Sequence, residues 1–234
     1  MKNALITGAT KGMGRAIAIA FAKEGVNLAI CSRKENELAE FKQELLQVNA
    51  QIKVFTKAAD GSNKDQLLQF AAEAEKELGL IGIVVSSLGM FEPVSILDES
   101  DAAFERQLNT NFMPAYHLYR HFGKKMITKR EGHFFTICSV ASLDPIASAG
   151  TYSVTKYALL GLTKVMRQEM MPHQVKVTAV IPGSTLANSW EGTTISPDKF
   201  ILPEDVASAV ISIEKMSVGA NVEEIIIRPT TGQI

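Results

Sequence analysis

Seven short apolar runs, separated by longer stretches whose apolar residues recur at helical spacing, constrain this chain more than any other feature. The runs read as strands at about 3 to 7, 26 to 31, 52 to 57, 81 to 86, 133 to 138, 175 to 181 and 223 to 228. Between them, the segment from Met13 to Glu24 puts Met13, Ile17, Ala20 and Phe21 on one face, with Gly25 placed to end a helix. Residues 35 to 48 and 64 to 78 repeat the pattern, the second ending at Gly79, and two more helices are expected around 101 to 127 and 151 to 171. Strand and helix in strict alternation is the pattern of βαβ units, whose crossovers make the sheet parallel and cover it on its faces. The reading is α/β: one doubly wound domain over residues 1 to 234, a seven-stranded parallel sheet flanked by helices. Ser184 to Leu202, with Gly192 and Pro197 and few periodic apolar positions, is expected as a loop or small lid before a helix that begins at Pro203-Glu204-Asp205.

Composition narrows the function classes. A net charge of -1 with no block of like charges argues against a nucleic-acid partner, which would call for a basic patch or tail. No apolar stretch approaches the roughly 18 residues that a membrane span requires. Cys31 and Cys138 each sit in an apolar run without metal-ligand spacing, so buried thiols in a reducing compartment are expected. The N-terminal run before Gly8 is too short for a secretory signal. These readings together predict a cytoplasmic protein that acts on small molecules, with no nucleic acid and no membrane among its partners.

Two short motifs carry chemistry. Thr7-Gly8-Ala9-Thr10-Lys11-Gly12-Met13-Gly14 joins the first strand to the first helix. Glycines there permit a tight turn and close approach of a pyrophosphate to a helix N-terminus. The spacing G-x-x-x-G-x-G is neither the G-x-G-x-x-G fingerprint nor a P-loop. The second motif is Tyr152-Ser-Val-Thr-Lys156, whose phenol and ammonium share one helix face. A positive charge beside a phenol favours the ionised form, and such a group can exchange a proton with the oxygen of a carbonyl or alcohol.

T-G-x-x-x-G-x-G near the start, followed far downstream by Ser139, Tyr152 and Lys156, resembles the short-chain dehydrogenase/reductase family over nearly the whole chain. That resemblance implies a Rossmann-type fold and hydride transfer between a nicotinamide and a carbonyl or alcohol substrate. In that chemistry Tyr152 would donate the proton, Ser139 would stabilise charge on the oxygen, and Lys156 would tune the phenol and hold the ribose. Asn111 would complete a catalytic quartet by keeping a water on the lysine side. It further implies cofactor contacts from Gly8, Thr10, Lys11, Gly12, Met13 and Gly14 in the turn and from Asp60 and Gly61 beside the adenine. Ser87 and Gly89, Tyr152 and Lys156, and Pro182, Gly183 and Thr185 beside the nicotinamide complete the set. Ser86-Ser87-Leu88-Gly89 stands where most relatives carry Asn-Asn-Ala-Gly, so the glycine is kept and both amide side chains are replaced.

The end of the second strand bears on which dinucleotide is used. An NAD enzyme places a carboxylate here for the ribose hydroxyls, whereas this chain reads Cys31-Ser32-Arg33-Lys34. Arg33 offers planar, charge-assisted hydrogen bonds to a phosphate, and Lys11 adds a second positive charge. NADP is the expected cofactor, with Ser32 and Arg33 as contacts. Similarity extends both to 3-oxoacyl-acyl-carrier-protein reductases and to sepiapterin reductase-like proteins, and a non-catalytic NADP-binding sensor is the alternative of another class. The family's habit of pairing through its longer helices predicts a homodimer or homotetramer. His117 and His121 read as ordinary helix residues, and no metal is expected. Met166, Met170 and Met171 read as core packing. Trp190, with Leu186, Ile195 and Phe200, is read either as an apolar cover over substrate or as packing beneath the lid.

Overall fold

The computed structural model describes residues 2–187, 190 and 192–232. The elements in chain order are β1 (Asn3–Thr7), α1 (Gly12–Lys23), β2 (Asn27–Ser32), α2 (Glu35–Val48), β3 (Val54–Ala58), α3 (Lys64–Leu78) and β4 (Ile83–Ser86). They continue with α4 (Asp101–Asn111), α5 (Met113–Lys129), β5 (His133–Ile137), α6 (Gly150–Met170), β6 (Lys176–Pro182), α7 (Pro203–Glu214) and β7 (Glu224–Ile227). All seven strands run parallel in the order β3-β2-β1-β4-β5-β6-β7.

The period of two along each strand divides the core. On one face Ala4, Ile6, Leu28, Ile30, Ile83, Val85, Phe135 and Ile137 pack beneath α1, α2 and α7, against Ile17, Phe21, Phe41, Leu45 and Val210. On the other, Leu5, Ala29, Val84, Phe134 and Val177 pack beneath α3, α5 and α6, against Phe70, Phe122, Met166 and Met170. Both faces of β1, β2, β4, β5 and β6 are covered, which is why these strands read as continuous apolar runs, while the edge strands β3 and β7 are only partly buried. Phe21, Phe70, Phe122 and Phe135 are among the largest fully buried side chains, each contributing about 1.5–3 kcal/mol of transfer free energy.

Two details depart from the sequence reading. The helix expected across 101 to 127 is two helices meeting at Phe112, because Pro114 enters the first turn of α5 without an N–H to continue the ladder. Met166 and Met170 are buried as expected, with the Met170 methyl against the Gly123 backbone, but Met171 opens a 3₁₀ turn and is exposed. The segment from 184 to 202 is pinned at both ends: Thr185 and Ile201 form an isolated parallel bridge, with Leu186 N donating to Ile201 O at 2.8 Å and Ile201 N to Ser184 O at 2.9 Å. No helix among the described residues is long and apolar enough to cross a membrane.

One backbone contact holds the first crossover to the sheet. A Cβ on Gly14 would lie 2.3 Å from the Gly8 carbonyl oxygen and 3.2 Å from Ser87 Oγ, so α1 can approach the turn this closely only with glycine there. We predict that Gly14→Ala destabilises the protein by about 1–3 kcal/mol, the usual cost of overpacking a tight contact. Thermal denaturation checks this, and an unchanged midpoint would contradict the contact.

Candidate active site

Because every strand is parallel, every strand's C-terminal end opens on one edge of the sheet, and the order reverses between β1 and β4 to leave a crevice there. The residues singled out in the sequence come to that edge one strand at a time. Gly8 to Gly14 follow β1, Ser32 and Arg33 close β2, and Asp60 and Gly61 follow β3. Ser87 and Gly89 follow β4, Ser139 follows β5, and Pro182, Gly183 and Thr185 end and follow β6.

The turn after β1 exposes the N-terminal end of α1. Gly8 (φ 64°) and Gly12 (φ 53°) take left-handed conformations that side chains resist. Lys11 caps α1 with extended backbone and no side-chain hydrogen bond, and the first turn holds no acidic residue, so its N–H groups and positive dipole end face the crevice. Thr10 is half-buried beside it, and the Met13 side chain packs into the core, which leaves its backbone as the part that can serve a ligand.

Across the crevice, Ser86-Ser87-Leu88-Gly89 is secured without the two amide side chains. The buried Thr7 hydroxyl oxygen accepts from Ser87 N at 3.2 Å and Leu88 N at 3.3 Å. Asn111 secures the other side: its Oδ1 accepts from Met90 N at 2.7 Å, while its Nδ2 donates to Met90 O at 3.1 Å and Thr155 Oγ1 at 3.0 Å. The Asn111 amide is thus a clamp on the loop after β4, joining it to α6. A side chain on Gly89 would point to within 3.6 Å of both Asn111 Oδ1 and Lys156 Nζ, so the missing Cβ keeps the backbone open at that point.

The catalytic candidates converge on α6 and the turn after β5. Lys156 is 5% exposed, and its ammonium donates to Ile137 O at 3.0 Å and lies 5.7 Å from the centre of the Tyr152 ring. Among the described residues no carboxylate pairs with it. A buried, unpaired ammonium is costly, and such charges gather where chemistry needs them. Ser139 caps a short 3₁₀ turn (Val140–Ser142): its Oγ accepts from Ala141 N at 3.1 Å, which leaves the hydroxyl proton to donate. Tyr152, half-buried, has no hydrogen-bond partner for its hydroxyl among the described residues, and Phe91 meets its ring edge-on at 5.0 Å. Phe91, in the loop after β4, was not foreseen in the sequence. Its neighbour Gly89 is the signal that could have pointed to it.

After β3, Asp60 Oδ1 accepts from Ser62 N at 2.9 Å and Ser62 Oγ at 2.6 Å, an Asx turn that fixes the carboxylate. Gly61 lies against Leu88, which draws this turn and the loop after β4 together. Cys31 beneath them is a free buried thiol, pushed up to about 12 by burial and by the Asp60 charge. Cys138 is likewise buried and free. Arg33 is exposed and has no ion-pair or hydrogen-bond partner among the described residues, whereas Lys11 and Lys34 both reach Glu37. Thr185 donates to Gly183 O at 3.0 Å, so its hydroxyl is folded back on the turn after β6. Trp190 packs edge-on against Phe200 at 4.9 Å and lines a cavity of about 380 Å³ with Gly12, Arg15, Leu186 and Ala187. It therefore stands beside the glycine turn. His121 binds Glu75 at 2.7 Å, and His117 packs edge-on against Tyr116.

The fold and this site define an oxidoreductase of the dinucleotide-binding kind. The family model for short chain dehydrogenase matches residues 2–195, and the chain belongs to that family. It is similar to an uncharacterized oxidoreductase YvrD of Bacillus subtilis, 35% identical over 184 residues that cover 79% of this chain and 68% of that one. It is also similar to a sepiapterin reductase of Chlorobaculum tepidum, 29% identical over 98% of this chain and 97% of that protein. Among solved structures, an alcohol dehydrogenase from the archaeon Thermococcus sibiricus, complexed with 5-hydroxy-NADP, superposes with a TM-score of 0.89 at 26% identity, covering 100% of this chain and 99% of that one.

Thr7 carries two backbone donors of the loop after β4, and valine would fill its volume without accepting either. Thr7→Val is expected to cost about 1–3 kcal/mol, the penalty for stranded buried donors, and to weaken dinucleotide binding. Thermal melts and cofactor titration check both, and an unchanged melt would remove Thr7 from this role.

Proposed function

We propose that the protein is an NADP-dependent carbonyl reductase, and the observation that carries the catalytic half is the buried, unpaired ammonium of Lys156 beneath Tyr152. The residues present fit a nicotinamide dinucleotide. The glycine turn after β1 would take the pyrophosphate, Asp60 and Gly61 would flank the adenine, and Gly89 with the turn at Pro182-Gly183 would border the nicotinamide. When bound, the cofactor supplies or accepts the hydride.

The chain's own groups handle the substrate oxygen. The Ser139 hydroxyl has a proton to donate, and Tyr152 stands on the next helix with its hydroxyl unengaged, so the two are suited to hold an oxygen as negative charge develops on it. Tyr152 then delivers its proton, and the Lys156 ammonium stabilises the phenolate left behind. Asn111 acts from the loop side: by clamping Met90 it fixes Gly89 opposite Lys156, and a water held beside that ammonium would connect the site with solvent. Phe91 gives the wall at Tyr152 an apolar face, which favours a substrate with an apolar group next to its carbonyl. The 184 to 202 segment, pinned at Thr185 and Ile201, would act as the cover over this site.

Arg33 carries the cofactor half of the reading. An unpaired guanidinium where NAD enzymes place a carboxylate suits a 2′-phosphate. The 5-hydroxy-NADP in the solved Thermococcus sibiricus structure supports the same choice. The similarity to a sepiapterin reductase makes a pterin side-chain ketone a natural member of the substrate panel beside 3-oxoacyl thioesters and simple aldehydes. A cytoplasmic location is part of the same proposal.

For assembly, a second copy is the expected partner. Val154, Tyr157 and Val165 are 47%, 42% and 55% exposed along one side of α6, and a side chain at Gly161 between them would meet nothing within 4 Å. An apolar stripe with a gap that admits close approach suits helix-to-helix pairing in a homodimer or homotetramer.

Two tests follow. Tyr152→Phe should lower kcat by about 10²–10⁴-fold, the usual share of a general acid, with NADPH affinity retained; full turnover in that variant would sink the catalytic assignment in favour of a binding-only protein. Val165→Glu should shift the protein toward monomer in sedimentation or light scattering, and an unchanged mass would exclude this face.

A further inference from the structure

Two cations meet one carboxylate where β1 and β2 release the chain, and a third cation, Arg33, precedes one of them in sequence. Lys11 lies in the glycine turn, Arg33 and Lys34 follow β2, and Glu37 stands in the first turn of α2 with Glu35, which is exposed. A single oxygen, Glu37 Oε1, takes a hydrogen bond from Lys34 Nζ at 2.9 Å and lies 3.8 Å from Lys11 Nζ. Arg33 is left as the cation of the three without an acidic partner among the described residues.

We propose that Glu37 is a specificity-determining residue that sets how strongly this protein prefers a 2′-phosphorylated dinucleotide, by holding the charges of Lys11 and Lys34 away from the phosphate that Arg33 receives. The inference rests on the NADP reading above and goes beyond it, since that reading concerns only which cations are present. A 2′-phosphate beside Arg33 adds an anion to a cluster that already contains one. It must share Lys11 and Lys34 with Glu37 or draw them from it, and the Glu37 charge repels it directly. The Lys34 hydrogen bond, and behind it the Lys11 charge, hold the Glu37 carboxyl below the usual carboxylate range, so it is an anion at neutral pH. A dinucleotide with a free 2′-hydroxyl brings no such charge, so Glu37 acts on one cofactor and spares the other.

The position also suits a plain structural role, because a carboxylate in the first turn of a helix complements its dipole. That role would change thermal stability and leave the ratio between cofactors alone. The experiment is a titration of wild type and Glu37→Gln with NADPH and, separately, NADH, with a thermal melt of each protein. The expected result is NADPH binding about three- to tenfold tighter in the variant, the scale of one or two partly exposed charge pairs, with NADH binding changed less than about twofold on the same scale. NADPH affinity that is unchanged or weaker in Glu37→Gln, or an equal gain for both cofactors, overturns the proposal while leaving the NADP reading intact. Wild type that binds NADH as tightly as NADPH overturns the NADP reading itself, and this proposal with it.

Discussion

The first turn of α1 touches the backbone of the turn that precedes it, and the rest of the site depends on that contact. Gly14 stands where any Cβ would strike the Gly8 carbonyl oxygen, and Gly8 in turn lies against the Ser87 carbonyl and Leu88 backbone at 3.0–3.1 Å from where its Cβ would be. Three segments, the end of β1, the start of α1 and the loop after β4, are therefore packed backbone to backbone. The Thr7 hydroxyl secures the same junction by accepting from Ser87 and Leu88. Backbone packed this tightly leaves N–H groups, rather than side chains, at the mouth of the crevice.

From that junction the geometry runs outward to the chemistry. The loop that Thr7 holds on one side is held on the other by Asn111, which bonds both backbone groups of Met90 and reaches Thr155 on α6. The helix bearing Tyr152 and Lys156 is thereby tied to the end of β4 that borders the crevice. Lys156 is fixed in turn by Ile137 O at the end of β5, two residues before Ser139. The elements that carry Asn111, Ser139, Tyr152 and Lys156 thus share one connected set of hydrogen bonds and packing contacts, so the candidate catalytic groups rest on a rigid support.

The architecture is legible because β1, β2, β4, β5 and β6 are buried on both faces and the helices on one, which writes a clear alternation into the sequence. All seven expected strands are present, with ends displaced by at most two residues. The break at Phe112 was missed because the apolar spacing continues through it, and only the missing N–H of Pro114 divides the helix. The candidate site is legible in the sequence as residue types at strand ends, and the contacts that join them are not. Asn111 also bonds Met90 and Thr155, a long-range pairing that spacing does not reveal. Trp190 is ambiguous in the sequence, and its contact with Phe200 beside Gly12 and Arg15 places it at the glycine turn. The sharing of Glu37 by Lys11 and Lys34 was invisible for a similar reason: Lys11 and Glu37 meet only because β1 and β2 are neighbours in register.

The most direct test of the account is NADPH oxidation by the wild-type protein, followed by absorbance, against 3-oxoacyl thioesters, pterin side-chain ketones, diketones and aldehydes, with NADH run in parallel. The account predicts turnover of at least one carbonyl with a higher kcat/KM for NADPH than for NADH. NADPH binding without turnover of any carbonyl would contradict the catalytic reading of Ser139, Tyr152 and Lys156, and equal use of the two cofactors would contradict the role given to Arg33.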